Sequence, residues 1–216
     1  MKSIKELYKI GKGPSSSHTM GPQSAAQEFL KRVPESAVRF EVTLYGSLAA
    51  TGKGHMTDEA IINVFKSQGH DIEIVWRPET FLPYHPNAMT FRAYDVESIQ
   101  VSELTVYSVG GGAIKIEGDP ESAESPEIYG LNKMSEIVDY CQRTGKCYWE
   151  YVEECEGPGI WAYLSNVWAV MRKSVEEGLA QEGRLPGPLN LRRKAAQYQV
   201  CLLYTSPSPR DAHESR

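Results

Sequence analysis

Apolar and polar side chains alternate with two different periods along the first 117 residues. Val38, Phe40, Val42 and Leu44 interleave with Arg39, Glu41 and Thr43, the period of two that gives a half-buried strand. Residues 23–32, QSAAQEFLKR, instead carry Ala26, Phe29 and Leu30 at helical spacing, and Pro22 suits the first turn of such a helix. A second helix is predicted after the glycine turn of Gly52 and Gly54. Thr57 is its expected N-cap, Asp58 and Glu59 fall in its first turn, Ile61, Val64 and Phe65 form its apolar face, and Gly69 stops it. Further strands are expected at Asp71–Trp76, Met89–Tyr94 and Leu104–Val109, the last running through Gly110, Gly111 and Gly112 into AIKIE.

This order predicts an α+β fold: a small mixed-sheet domain over residues 1–117 with helices packed on it, then an incomplete all-α segment. Residues 118–132 read as a linker, rich in Pro, Ser and acid with little to bury. From residue 133 to 200 the pattern is helical, in MSEIVDYCQRTG, CYWEYVEECEG and IWAYLSNVWAVMRKSVEEG, where Trp161, Leu164, Val167, Trp168 and Met171 share one face. EGRLPGPLNLRRKA follows as an extended connection. A helical segment of about 70 residues is too short to complete a core by itself.

Composition narrows the function classes. The chain has 216 residues, 41% hydrophobic, and no apolar run approaches the ~20 residues of a membrane span. The opening MKSIKELYKIGKG has no apolar stretch of the secretory kind, so a cytoplasmic location is expected. A net charge of −5 with scattered basic residues argues against nucleic acid as a partner and for a small molecule. Cys141, Cys147, Cys155 and Cys201 lack metal-ligand spacing and are expected to be buried thiols. No metal ligand is assigned, and a homodimer is left open.

The tail, residues 201–216, changes character after LRRKAAQYQV. Its first eleven residues, CLLYTSPSPRD, match the translation of a common sequencing adapter, and the expectation is read-through from a truncated fragment rather than a natural Ser/Pro tail.

The chemistry-bearing residues fall in irregular segments. GPSSSHTMGP, residues 13–22, places the hydroxyls of Ser15, Ser16, Ser17 and Thr19 and the imidazole of His18 before a helix, where donors can meet a carboxylate or phosphate. It lacks a P-loop lysine, and a capped loop with a spare histidine would look the same. His55 sits between a glycine turn and a helix, and His85 in the proline-held LPYHPNA; an imidazole suits proton abstraction near neutral pH. His70, directly after Gly69, is expected to partner the helix end. Gly110–Gly112 could admit a ligand against the backbone, though a bend is the commoner use.

In order, GPSSSHTMGP, YGSLAATGKGHMTDEAI, LPYHPNAM, YSVGGG and RLPGPL resemble the amino-terminal part of the bacterial iron–sulfur-dependent L-serine dehydratases, over the chain to about Ala196. The resemblance implies an α+β domain similar to the allosteric substrate-binding domain of phosphoglycerate dehydrogenase, followed by a helical domain whose own cysteines hold a 4Fe-4S cluster. It implies an L-serine ammonia-lyase whose cluster ligands lie downstream of this chain, so that this part alone would bind no cluster and be inactive. Carried onto matching positions, His55 and His85 are candidates for proton transfer, and His18 with Ser15, Ser16, Ser17 and Thr19 for the substrate end of the cleft. Two rivals remain: a non-catalytic small-anion or amino-acid-binding regulatory module, and, less favoured, a pyridoxal-phosphate lyase, which needs a Schiff-base lysine.

Overall fold

The computed structural model describes residues 1–119, 126–185 and 189–205. It divides into two compact units, Met1–Ile160 and Trp161–Arg216. Most of the linker's acidic stretch and the tail beyond Thr205 lie outside the described residues, as do positions 186–188 of the RLPGPL motif.

In the first unit a five-stranded mixed sheet confirms the α+β class. Strands β1 (Arg39–Tyr45), β2 (Glu73–Arg77), β3 (Ala88–Tyr94), β4 (Gln100–Gly110) and β5 (Ala113–Ile116) stand in the order β2-β1-β3-β4-β5. Only β1 and β2 run parallel. Parallel neighbours need a crossover, and helices α2 (Gly46–Thr51) and α3 (Thr57–Ser67) supply it. Helix α1 (Gly21–Leu30) packs beside α3.

The alternation in β1 decides which face meets the helices. Phe40, Val42 and Leu44 pair with Ala93, Phe91 and Met89 across β3, and all six are buried. Phe29 of α1 and Phe65 of α3 close on Phe91, with ring centroids 5.3 and 6.3 Å away. Each such buried phenylalanine contributes about 1.5–3 kcal/mol relative to an exposed one. The opposite face is polar and self-paired: Arg92 reaches Glu41 (3.3 Å), Thr43 (3.2 Å) and Glu103 (2.7 Å), and Thr90 meets Thr105 at 3.0 Å. Val38, counted with the inward set, precedes the strand and is 57% exposed. Gly110–Gly112 all have positive φ and form the turn of the β4–β5 hairpin. His70 does partner the helix end: its N–H donates to the Phe65 carbonyl (3.0 Å) and its ring lies on Phe40.

Helices α4 (Met134–Thr144) and α5 (Tyr148–Glu156) form a small satellite core around Tyr129, Cys141 and Tyr151. The opening residues are clasped to it. Glu156 accepts from the Ser3 hydroxyl (2.6 Å), the Ile4 N–H (2.7 Å) and the Tyr129 hydroxyl (2.8 Å). The expectation of uniformly buried cysteines is corrected: Cys141 is buried, but Cys147 and Cys201 are exposed. Cys147 precedes the first turn of α5, where its N–H donates to Glu150, and a helix start at the surface leaves the thiol in water.

The second unit contains α6 (Ile160–Ala180), which begins one residue earlier, and α7 (Ala195–Thr205). On the predicted apolar face of α6, Val167 is buried while Trp168 is 60% and Met171 50% exposed. One amphipathic helix shows its stripe to solvent wherever no second layer covers it. Between α6 and α7 the Leu185 N–H donates to the Leu191 carbonyl (2.7 Å), and Arg184 pairs with Arg192 in an antiparallel bridge. Helix α7 continues past Val200 to Thr205. No helix among the described residues is long and apolar enough to cross a membrane.

Candidate functional site

The serine run does not form a loop. Residues Ser16–Met20 make one wide, π-type turn that runs directly into α1, and such turns recur at functional sites. Ser15 caps it: its hydroxyl accepts from the His18 N–H (3.1 Å) and its carbonyl from the N–H groups of Thr19 and Met20. Thr19 is buried, and its hydroxyl donates to the His55 carbonyl (2.8 Å). The hydroxyl of Thr19 also accepts from the Ser15 N–H (3.3 Å), so it is engaged on the scaffold in both directions. Ser16 is exposed.

Thr57 is also corrected. Met56, in the left-handed conformation (φ 56°), takes the N-cap position of α3, and Thr57 is the first helical residue. Its buried hydroxyl donates to the carbonyl of His18. Two threonines thus cross-brace the turns carrying His18 and His55, and the two imidazole rings lie with centroids 4.9 Å apart. The Ser17 hydroxyl meets Nδ1 of His18 at 2.9 Å. With that hydroxyl donating, a neutral ring carries its proton on Nε2. Burial first, then the neighbouring His55, holds the His18 imidazole below its ordinary pKa, against an opposing pull from the Ser47 backbone. Among the described residues no partner meets the buried Nε2 within hydrogen-bond geometry. Among the described residues the His55 ring has no side-chain hydrogen bond, and it is half-buried.

His85 arrives from the loop between β2 and β3. The Asn87 N–H donates to its Nδ1 (3.1 Å), so a neutral His85 holds its proton on Nε2. Two bonds fasten this loop to the neighbours of His18: Ser47 N–H to the Pro86 carbonyl (3.1 Å) and Ser108 N–H to the Asn87 carbonyl (2.9 Å). Ser108 is fully buried, and its hydroxyl donates to the Ser17 carbonyl (2.7 Å), tying the histidine turn, the His85 loop and β4 together. Two glycines permit these approaches. A Cβ on Gly21 would stand 2.2 Å from the Ser108 hydroxyl, and one on Gly46 (φ +46°) would meet the Pro86 carbonyl at 2.8 Å. Ser108 and Asn87 are absent from the residues that the sequence singles out. A visible signal exists for Ser108, since it continues the inward positions Leu104 and Val106 with a polar side chain.

A groove of about 560 Å3 elsewhere, between α1 and α3, is lined by Gln23, Gln27, Asn63 and Ser67 with Lys12 and Lys31, and by none of these histidines.

The sequence profile of the serine dehydratase beta chain family matches residues 3–71 and 65–119, the sheet domain that carries all three histidines. The chain belongs to the serine dehydratase beta chain family. Relatives of this serine dehydratase chain include an L-serine dehydratase of Streptomyces coelicolor, 33% identical over 90% of the chain and 53% of the relative. Another from Haemophilus influenzae is 31% identical over 91% and 53%, and L-serine dehydratase 1 of Escherichia coli is 31% identical over 94% and 55%. The chain spans about half the length of the relatives it matches.

Proposed function

We propose that this serine dehydratase chain supplies the proton-transfer wall of an L-serine ammonia-lyase, which converts L-serine to pyruvate and ammonia. A 4Fe-4S cluster is part of that proposal. Among the described residues, however, no grouping of three or more His, Cys, Asp or Glu side chains could hold a metal ion. The residues present do not fit such a cluster, and the roles below belong to this chain's own side chains.

The observation carrying the reading is the pairing of His18 and His55 on turns fixed by Thr19 and Thr57. His55, whose ring has no hydrogen bond among the described residues, is the group available to take the α-proton of serine. His18 stays neutral beside it, because two adjacent imidazolium rings repel and burial disfavours charge. His85, its Nδ1 filled by the Asn87 N–H, is arranged to donate from Nε2 rather than to accept there. Ser16 and Ser17 are the first residues of the same turn, and this reading assigns them to the substrate end.

The test joins residues 1–200 to the second half of the Streptomyces coelicolor relative and measures pyruvate formed from L-serine. His55→Ala is expected to lower turnover by about two orders of magnitude or more with visible absorbance retained. Near-normal turnover in that variant removes His55 from the mechanism.

A second reading, a regulatory module binding a small anion or amino acid, draws on the amide-rich groove between α1 and α3 with its two lysines. Calorimetry of the chain with L-serine separates the two: binding that survives His55→Ala and disappears with Lys12→Ala and Gln27→Ala favours the module.

A further inference from the structure

Among the described residues two buried side-chain nitrogen or oxygen atoms lack a hydrogen-bond partner, Nε2 of His18 and Oδ1 of Asn87. Buried polar atoms are rarely left so, because each forgoes its water without compensation. Both orphans belong to the two segments that Ser108 ties together, through its hydroxyl to the Ser17 carbonyl and its N–H to the Asn87 carbonyl. The main chain of Asn87 is fully engaged, its N–H on His85 and its carbonyl on Ser108, so the backbone fixes the point from which the carboxamide projects. A fixed acceptor with no protein donor matches a ligand that brings its own donor.

We infer that the Asn87 carboxamide is a specificity-determining residue that accepts a hydrogen bond from the ammonium group of an amino-acid substrate. The inference rests on the proposed L-serine site and adds to it the selection of an amino acid over the corresponding hydroxy acid without nitrogen. The other orphan, Nε2 of His18, carries the ring proton when the Ser17 hydroxyl donates to Nδ1, and is then a donor suited to the other pole of the same zwitterion, its carboxylate or hydroxyl. A bond to a charged donor is stronger than a neutral one, so its loss reads out as a preference between ligands.

The experiment follows the side-chain amide resonances of Asn87 and the ring resonances of His18 and His55 in the isotope-labelled full chain. It is titrated separately with L-serine and with 3-hydroxypropionate, which keeps the carboxylate and the hydroxyl but has no ammonium. The expected result is that L-serine shifts both the Asn87 amide and the His18 ring, and binds about tenfold or more tightly than 3-hydroxypropionate. In Asn87→Ala that preference falls to near unity. L-serine shifts at the histidine rings with the Asn87 amide unmoved overturn the role of Asn87 and leave the serine site standing. Equal affinity for both ligands in the wild type overturns it as well. No shift at either position overturns the serine site in this chain, and the Asn87 role with it. Should Asn87→Ala fail to fold, the wild-type titrations decide alone.

Discussion

The hydroxyl of Thr57 donates to the main-chain carbonyl of His18, so the first residue of α3 holds the π-type turn that precedes α1. With the reciprocal bond from Thr19 to the His55 carbonyl, this fixes two imidazoles side by side, with centroids 4.9 Å apart, independently of any ligand. Removing that hydroxyl while keeping the shape of the side chain, as in Thr57→Val, leaves the His18 carbonyl short of a partner in a buried place. Unfolding in urea is expected to show a loss of about 1–3 kcal/mol. An unchanged midpoint and slope would mean that the bond is not formed in solution.

His18 is expected to titrate below 6.5, because burial and the adjacent His55 both disfavour its charged form. The unfolded chain binds the proton more readily, so the stability contributed by neutral His18 is present above about pH 6.5 and is lost as pH falls through the lower folded value. Proton resonance titration measures the midpoint directly, and His55→Ala is expected to move it upward. A midpoint at or above 6.5 in the native chain contradicts the packing described.

The approach of Gly21 to Ser108 can be tested by crowding it. A methyl group at position 21 would sit 2.2 Å from the Ser108 hydroxyl, so Gly21→Ala is expected to cost about 1–3 kcal/mol in thermal or urea unfolding. Combining it with Ser108→Ala should give less than the sum of the two single losses, because the second change removes the atom that clashes. Strict additivity would show that the two positions do not touch.

Glu156 gives the opening residues a pH-dependent clasp. Burial pushes its carboxyl up, but the hydrogen bonds from Ser3, Ile4 and Tyr129 outweigh this and hold it below the ordinary carboxylate value. The stability it contributes is present above the unfolded value, about 4.3, and is lost as pH falls through the depressed folded one. Hydrogen exchange at the amides of Ile4, Ile128 and Tyr129 is expected to quicken over that interval. In Glu156→Gln the same amides should exchange faster even at neutral pH, with less change on acidification. Protection that persists at pH 3 would separate the clasp from the carboxylate.

Much of the sheet domain is legible in the amino-acid pattern. The two-residue period of Phe40, Val42 and Leu44 names the buried face of β1, and Ile61, Val64 and Phe65 name that of α3, because burial along one element follows from its own repeat. Helix α2 is not legible in this way: GSLAAT is too short to show a helical period, and its place is set by the crossover between parallel strands. The stripe along α6 is visible in the pattern but its exposure is not, since periodicity says which residues share a side and not what lies against them.

The site divides in the same way. Residue types and spacing singled out His18, His55 and His85 among hydroxyls and glycines, and His55 and His85 do sit in irregular backbone, whereas His18 lies in the π-type turn. Only the tertiary structure decided that Thr19 and Thr57 hold one another's histidine turns, that Asn87 fixes the tautomer of His85, and that Ser108 links loops far apart in the chain. The physical reason is that a side chain's repeat and propensity are local, whereas the partner that satisfies a buried hydroxyl or imidazole is chosen by which segments the packed sheet brings within three ångströms or so of it.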